Sequence, residues 1–124
     1  MKILIMDDEP LILKLLGNYL TMLNHQVVPV SNGKKGLELF LEDPETFDLI
    51  ITDFKMSGLD GISVVARLKD EGYDVPVVFI SGYGMADKKE VTQNLKIVAV
   101  LDKPFDLEEL NEVLSLVETH ENKQ

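Results

Sequence analysis

Five short runs of aliphatic and β-branched residues recur along the chain: Lys2–Met6, Gln26–Val30, Phe47–Thr52, Pro76–Ile80 and Ile97–Leu101. Each is of strand length and nearly continuous in its hydrophobicity, the pattern of parallel strands buried on both faces. The stretches between them carry helical spacing instead. The first helix is expected from about Pro10, with Leu13, Leu16, Leu20 and Leu23 on one face, Asp8 or Glu9 as its cap and Pro10 where a missing N–H costs nothing. A second spans roughly Gly33–Leu41 on Leu37, Phe40 and Leu41, after the turn residues Ser31-Asn32-Gly33. A third covers Gly61–Glu71 on Ile62, Val65 and Leu68, with Asp60 as N-cap and Gly72 as its stop. The fourth, about Ala86–Asn94, has only Val91 and Leu95 as apolar anchors. The fifth opens at Asp106 in a capping box completed by Glu109 and continues through Leu107, Leu110, Leu114 and Val117. The polar tail Glu118–Gln124 is expected to fray. Strict alternation of five strands with five helices predicts a single α/β domain with an all-parallel sheet and right-handed crossovers.

At 124 residues the chain can bury a core without staples, and having no cysteine it excludes disulfides and thiolate chemistry. The apolar run after Met1 is too short for a signal segment or a membrane span, so a cytoplasmic protein with no membrane association is expected. Twenty-two acidic residues against 12 basic ones give a net charge of −10, a field that repels nucleic acid and suits a divalent cation or a basic partner surface.

In open parallel sheets the functional residues lie beyond the carboxyl ends of the strands. Here those ends read Met6-Asp7-Asp8-Glu9, Thr52-Asp53, Ile80-Ser81-Gly82 and Leu101-Asp102-Lys103-Pro104. Asp7, Asp8, Asp53, Ser81 and Lys103 are therefore expected on one rim. Taken singly, each has an ordinary explanation as a helix cap, a turn former or a solvated lysine. Taken together they do not, because two carboxylates about 4 Å apart repel by roughly 4 kcal/mol at an effective dielectric of about 20. Unless some of them protonate, such a cluster demands a cation, and all-oxygen ligation without Cys or nearby His selects a hard one, Mg²⁺ or alternatively Mn²⁺.

The acidic pair after strand one, the single Asp after strand three, the Ser after strand four and Lys103-Pro104-Phe105 after strand five resemble the receiver domain of bacterial response regulators. The stretch Asp53-Phe54-Lys55-Met56-Ser57-Gly58-Leu59-Asp60-Gly61 is similar to that family's Asp-x-x-Met-Pro-x-x-Asp-Gly signature, and the resemblance runs from Lys2 to about Val117. It implies a flavodoxin-like, doubly wound (βα)5 sandwich with strand order 2-1-3-4-5. It further implies one receiver domain over residues 1–124, with its core at 2–117 and a tail at 118–124. Asp53 would be the phosphoacceptor. Asp8 and Asp53 would bind Mg²⁺ directly, Asp7 mainly through water, and the Lys55 backbone carbonyl would be a further ligand. Lys103 would pair with one phosphoryl oxygen and Ser81 with another. The implied function is a phosphorylation-activated signalling switch rather than an enzyme, acting only in its own phosphorylation and dephosphorylation. A sensor histidine kinase or histidine phosphotransfer protein would supply the phosphoryl group, and a protein target would respond. The switch would be a monomer or a phosphorylation-dependent dimer.

Three positions depart from the family pattern. Val100 stands where an aromatic ring is usual, and a valine cannot swing as a polar-tipped ring does. Ser57 replaces the signature proline, and the loop Ser81-Gly82-Tyr83-Gly84 is rich in glycine and reads as a mobile switch. Lys55 and Tyr83 would flank the phosphoryl group and govern the access of water to it. No effector domain follows the fifth helix, so the chain resembles stand-alone receivers; a receiver excised from a longer protein reads the same way. An aspartate-nucleophile phosphohydrolase would want Asp-x-Asp after strand one. A flavodoxin-like cofactor module would want a phosphate loop where Asp7, Asp8 and Glu9 stand. His25 and His120 read as surface residues away from the site.

Overall fold

The strands pair as the alternation requires, in one five-stranded parallel sheet of order 2-1-3-4-5. They are β1 (Lys2–Met6), β2 (Gln26–Val30), β3 (Leu49–Asp53), β4 (Val77–Ser81) and β5 (Ala99–Asp102). The computed structural model describes residues 1–56, 58–82, 95 and 97–122. The expected helix at 86–94, Tyr83 and Ser57 lie outside the described residues.

Helices cover both faces. On one side α1 (Pro10–Met22) and α4 (Leu107–Asn122) pack against Ile3, Ile5, Leu49, Ile51, Val78 and Ile80 through Leu16, Leu20, Leu110, Leu114 and Val117. On the other, α2 (Gly33–Glu42) and α3 (Gly61–Asp70) meet Leu4, Met6, Ile50, Val77 and Phe79 through Leu37, Phe40, Val64, Val65 and Leu68. The central strands β1, β3 and β4 are thus buried on both faces, which is why they read as continuous apolar runs.

Several boundaries differ from expectation, each for a local reason. Phe47 and Asp48 precede β3 instead of opening it, because a 3-10 turn at Pro44–Thr46 ends at Phe47. Strands β4 and β5 also begin later and run one residue further, so Ser81 and Asp102 are ladder residues, paired with each other. Strand β2 is an edge strand and not doubly buried: only Val30 is fully enclosed, and Pro29 is tolerated because one side of the strand has no partner. Of the two expected caps of α1, Glu9 takes the N-cap position, as read, although without a side-chain bond. The polar tail expected to fray from Glu118 is helical through Asn122, and among the described residues Val117 is the last of α4 in the core.

The other caps are as read. Asp60 Oδ1 accepts the Ser63 N–H at 2.8 Å, and Asp106 Oδ1 accepts that of Glu109 at 2.8 Å. Gly72 ends the α3 turn at φ +91°, a conformation that side chains with a Cβ rarely adopt.

Candidate functional site

The register of the sheet assembles the rim. Met6 pairs with Thr52 and Asp53 with Ile80, so the residues just after β1, at the end of β3 and at the end of β4 lie side by side. Asp7, Asp8 and Asp53 each present a carboxylate oxygen within 4.8 Å of the others. Lys103 enters from the far edge, from a segment held by its own N–H on the Ser81 carbonyl at 2.8 Å; the Lys103–Pro104 bond is cis. Its ammonium reaches three acids: Glu9 Oε1 at 2.9 Å, Asp53 Oδ2 at 3.1 Å and Asp7 Oδ2 at 3.2 Å.

These acids are not equivalent. Asp7 is fully buried; its Oδ1 accepts the Glu9 N–H at 2.8 Å, while its Oδ2 faces Lys103 as an ion pair without hydrogen-bond geometry. Burial raises the Asp7 pKa above the ordinary carboxylate range and the Asp53 charge adds to it, against the Glu9 N–H and the Lys103 charge that pull it down. Lys103 is shifted upward. Burial disfavours its ammonium, but the Glu9 and Asp53 hydrogen bonds and the Asp7 and Asp53 charges outweigh that. One ammonium thus reaches three carboxylates, two of them in the cluster of three aspartates, and among the described residues the buried Asp7 Oδ2 has no hydrogen-bond donor. That donor set fits a hard divalent cation held by Asp7, Asp8 and Asp53.

Packing fixes Asp53 from beneath. Phe54 is fully buried and stacks on Phe79 with ring centroids 4.4 Å apart. Thr52 Oγ1 donates to the Asp53 carbonyl at 3.0 Å. A Cβ at Gly61 would collide with that same carbonyl and with Thr52 Oγ1, so α3 begins in direct contact with the Asp53 main chain.

The structure brings together Asp7, Asp8, Asp53 and Lys103. Ser81 lies one residue past the Ile80 that pairs with Asp53; it is buried, and its hydroxyl donates to the Gly82 carbonyl at 3.2 Å. Lys55 is exposed in the loop after β3. Val100 is partly buried, in register with Phe79 and packed against the α2/α3 side of the core. His25 lies at the far end, with its Nδ1 3.0 Å from the Met1 amino group. Two contributors were missed in the sequence. Glu9 read only as a cap, although a third acid directly after Asp7-Asp8 was the available signal. Gly61 read as a helix start, and its contact with Asp53 has no local signature.

The chain matches the response regulator receiver domain family over residues 3–115. It is 30% identical over 113 residues to sporulation initiation phosphotransferase F of Bacillus subtilis, covering 91% of this chain and 90% of that protein. It is also 30% identical over 112 residues to the transcriptional regulatory protein GlrR of Escherichia coli, but there it spans 25% of the relative's length. A solved receiver domain protein from Clostridium thermocellum superimposes with a TM-score of 0.88 at 26% identity, over 99% of this chain and 98% of that one. The chain therefore belongs to the response regulator receiver domains, which are phosphorylation-activated switches of two-component signalling and not classical enzymes. Domains of this family bind Mg²⁺ at an acidic pocket, and this chain has such an acid cluster. No helix among the described residues is long and apolar enough to cross a membrane.

Proposed function

We propose that Asp53 is the phosphoacceptor of a single receiver domain spanning residues 1–124. The observation carrying this reading is the meeting of three carboxylates and one ammonium on a single rim. Asp53 Oδ attacks phosphorus in line, a P–O bond forms to Asp53, and the bond from phosphorus to the donor's histidine nitrogen or acyl oxygen breaks. Lys103, already 3.1 Å from Asp53 Oδ2, pairs with a phosphoryl oxygen and offsets its charge. Asp7, Asp8 and Asp53, with the Lys55 carbonyl, would hold Mg²⁺ or Mn²⁺, which would supply charge neutralisation for the phosphoryl oxygens. Ser81 turns its hydroxyl from the Gly82 carbonyl toward the new acceptor oxygens. Lys55 and Tyr83 govern the access of hydrolytic water, and the domain promotes only its own phosphorylation and dephosphorylation.

Val100 leaves the last strand without a swinging ring, so the conformational response runs through Ser81 and its loop. A histidine kinase or phosphotransfer protein supplies the phosphoryl group in the cytoplasm, and a protein target reads the outcome, with the switch as a monomer or a phosphorylation-dependent dimer. The similarity to a phosphotransferase over nearly its whole length supports a relay role. Whether the domain acts alone or as part of a longer regulator leaves the chemistry at Asp53 the same.

The test is intact mass after incubation with acetyl phosphate, with and without Mg²⁺, for wild type and Asp53→Asn. The expected result is one metal-dependent phosphoryl adduct on wild type and none on the variant. An adduct of equal yield on Asp53→Asn would contradict the assignment.

A further inference from the structure

We propose that Glu9 is a positioning residue of this site, holding the Lys103 ammonium at the α1 side of the rim in the resting protein and competing with an arriving phosphoryl group for it. The inference rests on the reading of Asp53 as phosphoacceptor and concerns how its lysine is made available.

A lysine ammonium has three N–H donors. Among the described residues, Lys103 donates to Glu9 Oε1 at 2.9 Å and to Asp53 Oδ2 at 3.1 Å and faces Asp7 Oδ2 at 3.2 Å without hydrogen-bond geometry, so two of its donors are engaged and the ammonium is held between Glu9 and Asp53. The shortest contact is to Glu9, and Glu9 alone of the three stands outside the acid cluster. Asp7 and Asp53 are enclosed, with side chains 0% and 14% exposed, while the Glu9 side chain is 59% exposed and returns to water at little cost when released. The Glu9 backbone is fixed: its N–H is donated to Asp7 Oδ1 at 2.8 Å, and its carbonyl accepts the first N–H groups of α1. Only its side chain has to move. When a phosphoryl oxygen arrives at Asp53, it takes the N–H that Glu9 gives up, and no covalent bond of Lys103 or Glu9 changes.

Two variants separate contact from charge. Glu9→Gln removes the negative charge, whereas Glu9→Asp keeps it on a side chain one methylene shorter that no longer spans to Nζ. Phosphoryl uptake from acetyl phosphate is followed by intact mass at saturating Mg²⁺, with the Mg²⁺ affinity of each protein measured separately. Both variants are expected to take up phosphate faster than wild type by a factor of about 2 to 5, the scale of an exposed ion pair, with Mg²⁺ affinity unchanged in Glu9→Asp. A gain of rate is an outcome that general damage to the fold does not produce. Equal or slower uptake in both variants overturns the proposal, as does faster uptake in Glu9→Gln alone, which would assign the effect to local charge. Absence of an adduct on wild type and both variants overturns the Asp53 reading itself, and this inference with it.

Discussion

The two ends of the sheet solve opposite problems with similar residues. At the amino end the polar groups are matched in pairs: the Lys2 N–H bonds Asp48 Oδ2 at 2.8 Å, the Asp48 N–H bonds the Lys2 carbonyl at 2.8 Å, and the Lys2 ammonium lies 4.9 Å from the centroid of the Phe47 ring. Beneath them Phe40 stacks on Phe47 and meets Tyr73 edge-on, with centroids 5.8 and 5.4 Å apart. At the carboxyl end three carboxylates crowd together, one ammonium is shared among three acids, and a fully buried aspartate keeps an oxygen without a hydrogen-bond donor among the described residues. The same sheet is thus anchored by complementary pairs at one end and carries unspent electrostatic tension at the other. The difference teaches where stability and chemistry separate: substitutions at the amino end should cost stability and spare phosphorylation, whereas those at the carboxyl end should alter phosphorylation first.

The sharpest challenge to this division is Phe40→Ala. Phe40 is 1% exposed and sits between two other rings, so truncation should cost about 3–5 kcal/mol in urea unfolding. The folded fraction should still take phosphate at the wild-type rate, and a slowed rate would show that the ends are coupled. Gly61→Ala comes next. Its Cβ would drive into the Asp53 carbonyl, so a stability loss of about 1–3 kcal/mol should appear together with reduced phosphoryl uptake. Uptake at the wild-type rate would mean that α3 does not help to place Asp53.

The sheet and most helices were legible in the sequence, because continuous apolar runs, the Asp60 and Asp106 caps and the Gly72 stop are local signals. The strand starts were less so: Phe47 is as apolar as the strand it precedes, and only the turn formed by Pro44–Thr46 displaces it. Asp7, Asp8, Asp53 and Lys103 were legible as a group, since the topology of an all-parallel sheet sends every strand's carboxyl end to one rim. Their inequality was not. That Asp7 is buried beside an exposed Glu9, and that one ammonium is divided among three acids, depends on side-chain directions that spacing does not encode.

Smaller effects refine the comparison. Asp48→Ala removes the acceptor of the Lys2 N–H and should cost about 1 kcal/mol, with no change in phosphoryl uptake. The smallest is a pH effect at His25, whose pKa is lowered from 6.5, first by burial and then by the Met1 ammonium, against a weaker opposing pull from Glu118. As pH falls through 6.5 the unfolded chain takes up this proton first, so the contribution is complete above that value and declines toward the lower folded pKa. His25→Gln should flatten that part of the stability profile, and an unchanged slope would assign it to other groups.

The central claim, that the carboxyl rim is held under charge repulsion that a cation relieves, is tested most directly by urea unfolding of wild type and Asp7→Asn, each with and without Mg²⁺. Without metal, Asp7→Asn should unfold at a higher urea concentration than wild type, because it removes a charge that burial disfavours and that Asp53 repels. Added Mg²⁺ should stabilise wild type in proportion to its binding and move the variant far less. A variant less stable than wild type without metal, together with equal Mg²⁺ shifts in both proteins, would contradict the account.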